Sequence, residues 1–324
     1  MTQRKIPEMK PEFEERMQEL LGKDFESYKE ILKKEPVRSI RCNTLKISPE
    51  ELKEKLEANG WKISQPWKSN PEVMIVENEL QPGELGRALE HLLGYYYIQE
   101  LASMLPPIAL APKEYELVLD MCASPGSKTT QMAAMMKNTG TIIANEISMG
   151  RLKILSSNTE KCGVTNTIIT KKDGVALCRK LSKYNPETKF DKILLDAPCS
   201  GEGTLRSSYK TYLMWNPKTI TSLSRLQKQM IQASWDILKV EGEIVYSTCT
   251  HAPEENEAVV DFFLKEFKDK VQIEKIVLPI VPRQGITKWK DEEYLEDVKL
   301  SCRVYPQDNN TEGFFLAKFK KVKE

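Results

Sequence analysis

The sequence predicts an α/β fold, a mostly parallel sheet with helices on both faces, joined to a smaller N-terminal α+β domain. Two observations carry this. From residue 116 onward, short apolar runs alternate with helical stretches. That is the pattern of strand–helix–strand units whose strands pair in parallel and are covered on both sides. Pro106-Pro107 and Pro112 separate this repeat from an earlier stretch of mixed helices and strands. The 324 residues also suit two domains at roughly 150 residues each. They are expected at 1–108 and 109–324.

In chain order, residues 11–33 carry Phe13, Met17, Leu20, Leu21, Tyr28, Ile31 and Leu32 at helical spacing. Residues 37–45 alternate as a strand does. Ser48-Pro49-Glu50-Glu51 supplies an N-cap, a proline at N1 and a glutamate at N3, and Gly60 closes that helix. Helices are expected at 83–93 and 98–109, joined through Gly94-Tyr95-Tyr96-Tyr97. Strands follow at 116–120, 141–146, 167–170, 190–195 and 242–248. Helices are expected between them at 128–137, 149–162, 174–184 and 219–239.

The chain balances 48 Lys+Arg against 47 Asp+Glu, so it is no uniformly basic nucleic-acid binder, although a basic face can hide in that average. No apolar run approaches the ~20 residues of a membrane span. The N-terminus lacks the apolar core of a secretory signal. A soluble, cytoplasmic monomer without membrane contact is expected. Seven cysteines without a C-x-x-C pair, and only two histidines, leave no ordinary metal spacing, so no metal is expected. Reduced, buried thiols are the default.

Ligands of open α/β sheets bind beyond the carboxyl ends of the strands. The first strand ends at Asp120 and enters MCASPGSK, residues 121–128, before a helix. Small residues there let backbone amides approach an anion. The turn lacks the glycine patterns for dinucleotides or triphosphates. A smaller zwitterion suits it better, and a plain structural turn suits it equally. The second strand ends at Glu146, the third leads to Asp173 and the fourth to Asp196. Each alone reads as a helix cap or a solvated charge. Together they face one crevice, and S-adenosylmethionine, with amino acid, ribose and adenine to grip, fits their spacing. Two cysteines stand at the same edge, Cys199 in DAPCSG and Cys249 in STCT. A thiolate there is the right nucleophile for carbon 6 of a pyrimidine, which makes carbon 5 nucleophilic.

VLDMCASPGSKTTQ, FDKILLDAPCSGEGT and VYSTCTHAPEENEAVV resemble the motifs of Nol/Nop/Sun-type RNA cytosine-5 methyltransferases. RSIRCNTLK, YYYIQELASMLPPIAL and EGFFLAKFKK extend the resemblance over most of the chain. It implies a Rossmann-like S-adenosylmethionine-dependent methyltransferase domain behind an RNA-recognition module. It also implies an RNA cytosine substrate, with transfer RNA favoured over ribosomal RNA by the similarity to short archaeal-type members. Carried over by position, Cys122, Ala123, Ser124, Pro125, Gly126, Ser127 and Lys128 hold the methionine end of the cofactor. Glu146 takes the ribose with Arg151 nearby, and Asp173 lies on the adenine side. Asp196 bridges cofactor and base, Cys249 is the nucleophile and Cys199 assists product release. Ser124 and Glu146 stand where alanine and aspartate are commoner.

In the resulting expectation Cys249 attacks carbon 6 while Asp196, its pKa raised by burial, protonates ring nitrogen 3. His251 reads as a surface histidine, with tuning of the thiolate as the alternative. Residues 205–218 interleave Arg206, Lys210 and Lys218 with Tyr209, Tyr212 and Trp215, which suits an unpaired RNA strand or an ordinary amphipathic loop. Arg38, Arg41 and the basic residues of 318–321 are further RNA candidates. No appended RNA-binding domain is expected after residue 324. The surface is expected to be basic around the crevice and acidic elsewhere. Rival readings are a non-catalytic RNA-binding protein and a DNA cytosine-5 methyltransferase; the latter uses the Pro-Cys cysteine as nucleophile, but its Glu-Asn-Val motif is missing.

Overall fold

The computed structural model describes residues 9–208 and 210–324. Helices α1 (Pro11–Leu21) and α2 (Phe25–Leu32) come first, joined by a short 3-10 turn that starts at Gly22. Strands β1 (Ser39–Cys42), β2 (Ile63–Ser64), β3 (Val73–Val76) and β4 (Tyr96–Ile98) form an antiparallel sheet in the order β2-β3-β1-β4. Helix α3 (Pro49–Ala58) carries the expected capping box between Ser48 and Glu51. The stretch expected as one helix at 83–93 is two single turns, α4 (Glu84–Arg87) and α5 (Leu89–Leu92), parted by Ala88 in extended conformation. The helix expected at 98–109 shrinks to α6 (Leu105–Leu110), whose first turn uses Pro106 and Pro107. The tyrosine joiner before it is β4.

The main sheet is built from β5 (Leu117–Asp120), β6 (Thr141–Asn145), β7 (Thr167–Thr170), β8 (Phe190–Asp196) and β9 (Leu238–Thr248), all parallel, in the order β7-β6-β5-β8-β9. Helices α7 (Ser127–Met135), α8 (Met149–Cys162), α9 (Gly174–Tyr184), α10 (Lys210–Met214), α11 (Pro217–Trp235) and α12 (Glu257–Phe267) connect or follow these strands. The strand order reverses between β5 and β8, the switch point at which such sheets bind ligands. Alternation along each strand feeds two cores. Leu119, Ile193, Ile244 and Tyr246 pack toward α9, α11 and α12. Val118, Leu194 and Val245 pack toward α6 and α7.

Beyond β9 the sheet turns antiparallel. After β10 (Val271–Glu274), β11 (Arg283–Gln284), and the short pair β12 (Lys288–Trp289) and β13 (Glu292–Glu293), come β14 (Cys302–Val304), α13 (Pro306–Asn309) and β15 (Phe314–Lys321). β15 lies against β9, pairing Phe315 with Thr248, and against β14 and β10. This places β15 one strand from β8, although it comes late in the chain. The first two helices do not share the core of the small sheet. Phe13, Met17, Phe25 and Tyr28 pack instead with Leu205, Tyr212, Trp215 and Tyr305.

Candidate active site

The turn after β5 is shaped by its backbone conformation and by two side-chain hydrogen bonds. Gly126 has φ of 104°, a left-handed conformation disfavoured for other residues, and a Cβ there would meet Leu155 at 3.1 Å. The Ser124 hydroxyl donates to the carbonyl of Arg151 at 2.9 Å, and the Arg151 guanidinium donates to the carbonyl of Ser124 at 2.7 Å. Arg151 also faces Glu146 at 3.5 Å, and Glu146 accepts the amide of Ser148 at 2.7 Å. Asp173 accepts the amide of Ala176, so it caps α9 while its strand end faces the same crevice.

Cys122, Ser124, Glu146, Arg151, Asp173 and Asp196 line one cavity of about 310 Å³. Its remaining wall includes Met121, Asn145, Ile147, Leu226 and Met230, residues the sequence reading did not single out. Polar groups together with flexible apolar side chains fit a ligand with a ribose, a charged amino acid end and a flat base. Ala123, Pro125, Gly126 and Ser127 shape the turn but do not line this cavity. Ala123 packs with Ala144 and Leu155, and the carbonyls of Ser127 and Pro125 accept from Arg41 and Asn158. Lys128 faces a neighbouring space instead.

That neighbour is a cavity of about 580 Å³ bounded by Pro36, Arg38, Gln99, Lys128, Glu312 and Phe314, among others. Asp196 and Cys249 belong to both cavities. The Cys249 and Cys199 sulfurs are 3.3 Å apart, and neither is disulfide-bonded. The neighbouring thiol and burial hold the Cys199 pKa well above its ordinary value. At this distance either sulfur can donate to the other. The Pro-Cys loop is anchored by Glu255, which accepts the Ser200 amide at 3.0 Å, Gln227 at 2.8 Å and the Ser200 hydroxyl. Burial raises Glu255 to about 7 against those donors.

Lys128 reaches Asp196 at 2.8 Å and the Ser247 hydroxyl donates to it at 2.8 Å. Two donors, one a cation, fix the direction of this side chain. His251 is no surface residue. It is 1% exposed, stacked on Tyr305, and burial with Arg303 nearby lowers its pKa to about 3. Neutral, it does not tune a thiolate by charge.

The RNA candidates divide. Arg38 lines the larger cavity. Arg41 is buried and donates to Gln99, to Gln131 at 3.3 Å, to Thr130 at 2.9 Å and to the Ser127 carbonyl at 2.7 Å, a strut between β1 and α7. Arg206 is buried and donates to the carbonyls of Thr311 and Glu35. Tyr212 and Trp215 are core aromatics. Tyr209 lies outside the described residues. Lys318, Lys320 and Lys321 pair with Glu243, Glu241 and Glu324, so the basic tail serves the fold. The larger cavity carries Glu35, Glu100, Asp196 and Glu312 against Arg38 and Lys128, so its lining is not basic. Among the described residues, no helix is long and apolar enough to cross a membrane.

Residues 107–320 match the family described as 16S rRNA methyltransferase RsmB/F, and residues 9–101 match the N-terminal domain of 16S rRNA methyltransferase RsmF. The chain belongs to the RsmB/F (Nol1/Nop2/Sun) family. It is thus an S-adenosylmethionine-dependent RNA methyltransferase. A tRNA (cytosine(49)-C(5))-methyltransferase of Pyrococcus abyssi is 42% identical over 88% of this chain and 89% of its own length. A ribosomal RNA small subunit methyltransferase F of Aliivibrio salmonicida is also 42% identical over 88% of this chain, which spans only 58% of that relative. Among solved structures, a methyltransferase homolog from Pyrococcus horikoshii superposes with TM-score 0.81 at 34% identity, covering 95% of this chain and 94% of that one. NSun6 from the same organism, determined with SFG, gives TM-score 0.82 at 27% identity over 97% of this chain and 99% of its own.

Proposed function

We propose that this family member methylates carbon 5 of a cytosine in RNA, transfer RNA being favoured, through a covalent Cys249–cytosine adduct. The observation that carries the reading is the meeting of two cavities at Asp196 and Cys249, with Cys199 3.3 Å from Cys249. In this reading the smaller cavity takes the cofactor. Glu146 and Arg151 hold the ribose, Asp173 the adenine side, and Cys122, Ser124 and their neighbours in the 121–128 turn the amino acid end. S-adenosylmethionine, when bound, would supply an electrophilic methyl group.

The larger cavity takes the extruded base. Cys249 adds to carbon 6, and Asp196, oriented by Lys128 and Ser247, protonates or hydrogen-bonds to ring nitrogen 3 as charge develops there. Cys199, which keeps its proton, serves as acid and then base when Cys249 is expelled. The walls at Pro36, Arg38 and Gln99 give residues 1–108 a part in choosing the RNA, while 109–324 carry the chemistry. The reading includes a monomer acting in the cytoplasm. Transfer RNA is favoured because the tRNA-modifying relative is matched over 89% of its length and the ribosomal one over 58%.

The test uses transfer RNA and small-subunit ribosomal RNA transcripts side by side with labelled cofactor. Cys249→Ala abolishes incorporation, and Cys199→Ala accumulates a protein–RNA adduct resistant to denaturation. An adduct in the Cys249 variant instead reverses the two roles, and label entering only ribosomal RNA removes the tRNA preference.

A further inference from the structure

Cys199 and Cys249 sit on separate loops, one after β8 and one after β9, and their 3.3 Å separation depends on how those loops are joined. Two ties lie beside the sulfurs. The Ser200 and Thr250 hydroxyls, one residue past each cysteine, are 2.7 Å apart, and the Gly203 amide donates to the Cys249 carbonyl at 2.9 Å. A third tie comes from far away in the chain. The first loop carries the fully buried Glu202, and the second carries the half-buried Glu254. Arg16 of α1 reaches both. Its Nη1 donates to Glu254 at 2.9 Å, its Nη2 makes a second bond to the same carboxylate, and its Nε stands 3.7 Å from Glu202. Among the described residues, no other cation pairs with either glutamate.

We propose that Arg16 is a positioning residue for the cysteine pair: by bridging Glu202 and Glu254 it clamps the two loops and holds the thiols at the separation on which release of the Cys249 adduct depends. The inference rests on the cytosine reading above and adds to it a residue of the N-terminal segment. Two inward carboxylates with no cation between them repel and push their loops apart. The guanidinium fork makes the same pair attractive. Burial raises Glu202 while Arg16 draws it down, and at Glu254 the Arg16 bonds outweigh burial and hold the carboxyl below its ordinary range. Glu255, next to Glu254, accepts the Ser200 amide at 3.0 Å, so a shift of one loop passes to the residue that follows Cys199. Arg16 is itself held in place. It lies over the Trp289 ring at 5.1 Å, and the Trp289 indole donates to Glu254 at 3.0 Å. On the other side, Trp215 donates to Glu202 at 2.7 Å and packs edge-to-face with Phe13 of α1.

The sulfur separation can be read without RNA or cofactor. Phenylarsine oxide captures two neighbouring thiols: two As–S bonds form, and the arsenoxide oxygen leaves as water with both thiol protons. Cys199→Ala and Cys249→Ala set the background from the remaining cysteines.

The experiment compares arsenical capture by the full chain, well below its thermal midpoint, with adduct accumulation on transfer RNA transcripts. Calorimetric binding of S-adenosylhomocysteine serves as the control for folding. Arg16→Met is expected to keep cofactor affinity, to capture the arsenical roughly tenfold more weakly, and to accumulate a denaturation-resistant protein–RNA adduct as Cys199→Ala does. Arg16→Lys keeps a cation for folding but loses the fork that spans both carboxylates, and its capture weakens about threefold. Leu52→Ala opens a cavity in the core of the small sheet, lowers the thermal midpoint without touching either loop, and keeps wild-type capture. A purely structural role for Arg16 predicts that its variants melt early in the same way with the thiol pair unchanged. Arg16→Met with wild-type capture, or Leu52→Ala with the same loss, overturns the inference and leaves cytosine methylation standing. Wild type that methylates no cytosine in any transcript overturns the cytosine reading and the release role with it.

Discussion

His251 shows how one side chain can register pH without taking part in chemistry. It is buried between Tyr28 and Tyr305, its Nε2 is unpaired, and its pKa is pushed down from 6.5 to about 3. Between those values the unfolded chain binds a proton that the folded chain refuses. Stability from this residue is therefore complete above pH 6.5 and lost progressively as pH falls toward 3. Urea unfolding at pH 7 and pH 4.5 is expected to show His251→Phe losing less stability on acidification than wild type, by about 2 kcal/mol. Equal losses would refute the assignment. Nothing in the local sequence marks this histidine as buried. The cover comes from Tyr28 and Tyr305, far away in the chain, and from Gly313, where a Cβ would come within 2.2 Å of the ring.

At the scale of elements, the strand ends of the parallel sheet were readable because each is a short apolar run, and periodicity reports that directly; β5, β6 and β8 close on or next to an acid, and β9 runs into Cys249. The 121–128 turn, Glu146, Asp173, Asp196 and both cysteines were found by that route. β4 was not, since three tyrosines after a glycine have no periodicity to separate strand from linker, and its pairing with β1 is a tertiary event. The same β1 carries Arg41, which looked like an RNA contact because sequence cannot distinguish an exposed cation from one held by neutral acceptors. Its bonds to Ser127 and Thr130 tie the small sheet to the first turn of α7. Arg41→Met strands buried acceptors in both elements. S-adenosylhomocysteine is expected to bind this variant roughly tenfold more weakly, by calorimetry, with the thermal midpoint also lowered. Unchanged affinity would mean that the strut supports the fold but not the turn.

Over the whole molecule, the two-part division seen in the sequence is complicated by α1 and α2. Phe13, Met17, Leu21, Phe25, Tyr28 and Leu32 are buried against groups between Leu205 and Tyr305, and Arg16 reaches Glu254 and the fully buried Glu202. Each such side chain is worth ~1.5–3 kcal/mol when buried, so together they rival the ~5–15 kcal/mol net stability of a typical protein. Removing residues 1–36 is expected to yield aggregated protein without a cooperative unfolding transition in circular dichroism; a soluble, cooperatively melting product would contradict this. Such contacts escape a sequence reading because hydrophobic spacing tells which face of a helix is apolar but not what covers it.

The late arrival of β15 has a further consequence for how the protein is made. On the ribosome, β9 emerges with its Cys249 end while the partner that pairs Phe315 with Thr248 is still untranslated. Until residue 321 has been released, the strand bearing the proposed nucleophile has an open edge, the kind of surface on which nascent chains pair wrongly with one another. Both Phe314, a wall of the larger cavity, and the sheet's completed edge arrive in that same final stretch. The half-made chain thus lacks part of that cavity at the moment it is most exposed, and synthesis itself delays assembly of the complete site.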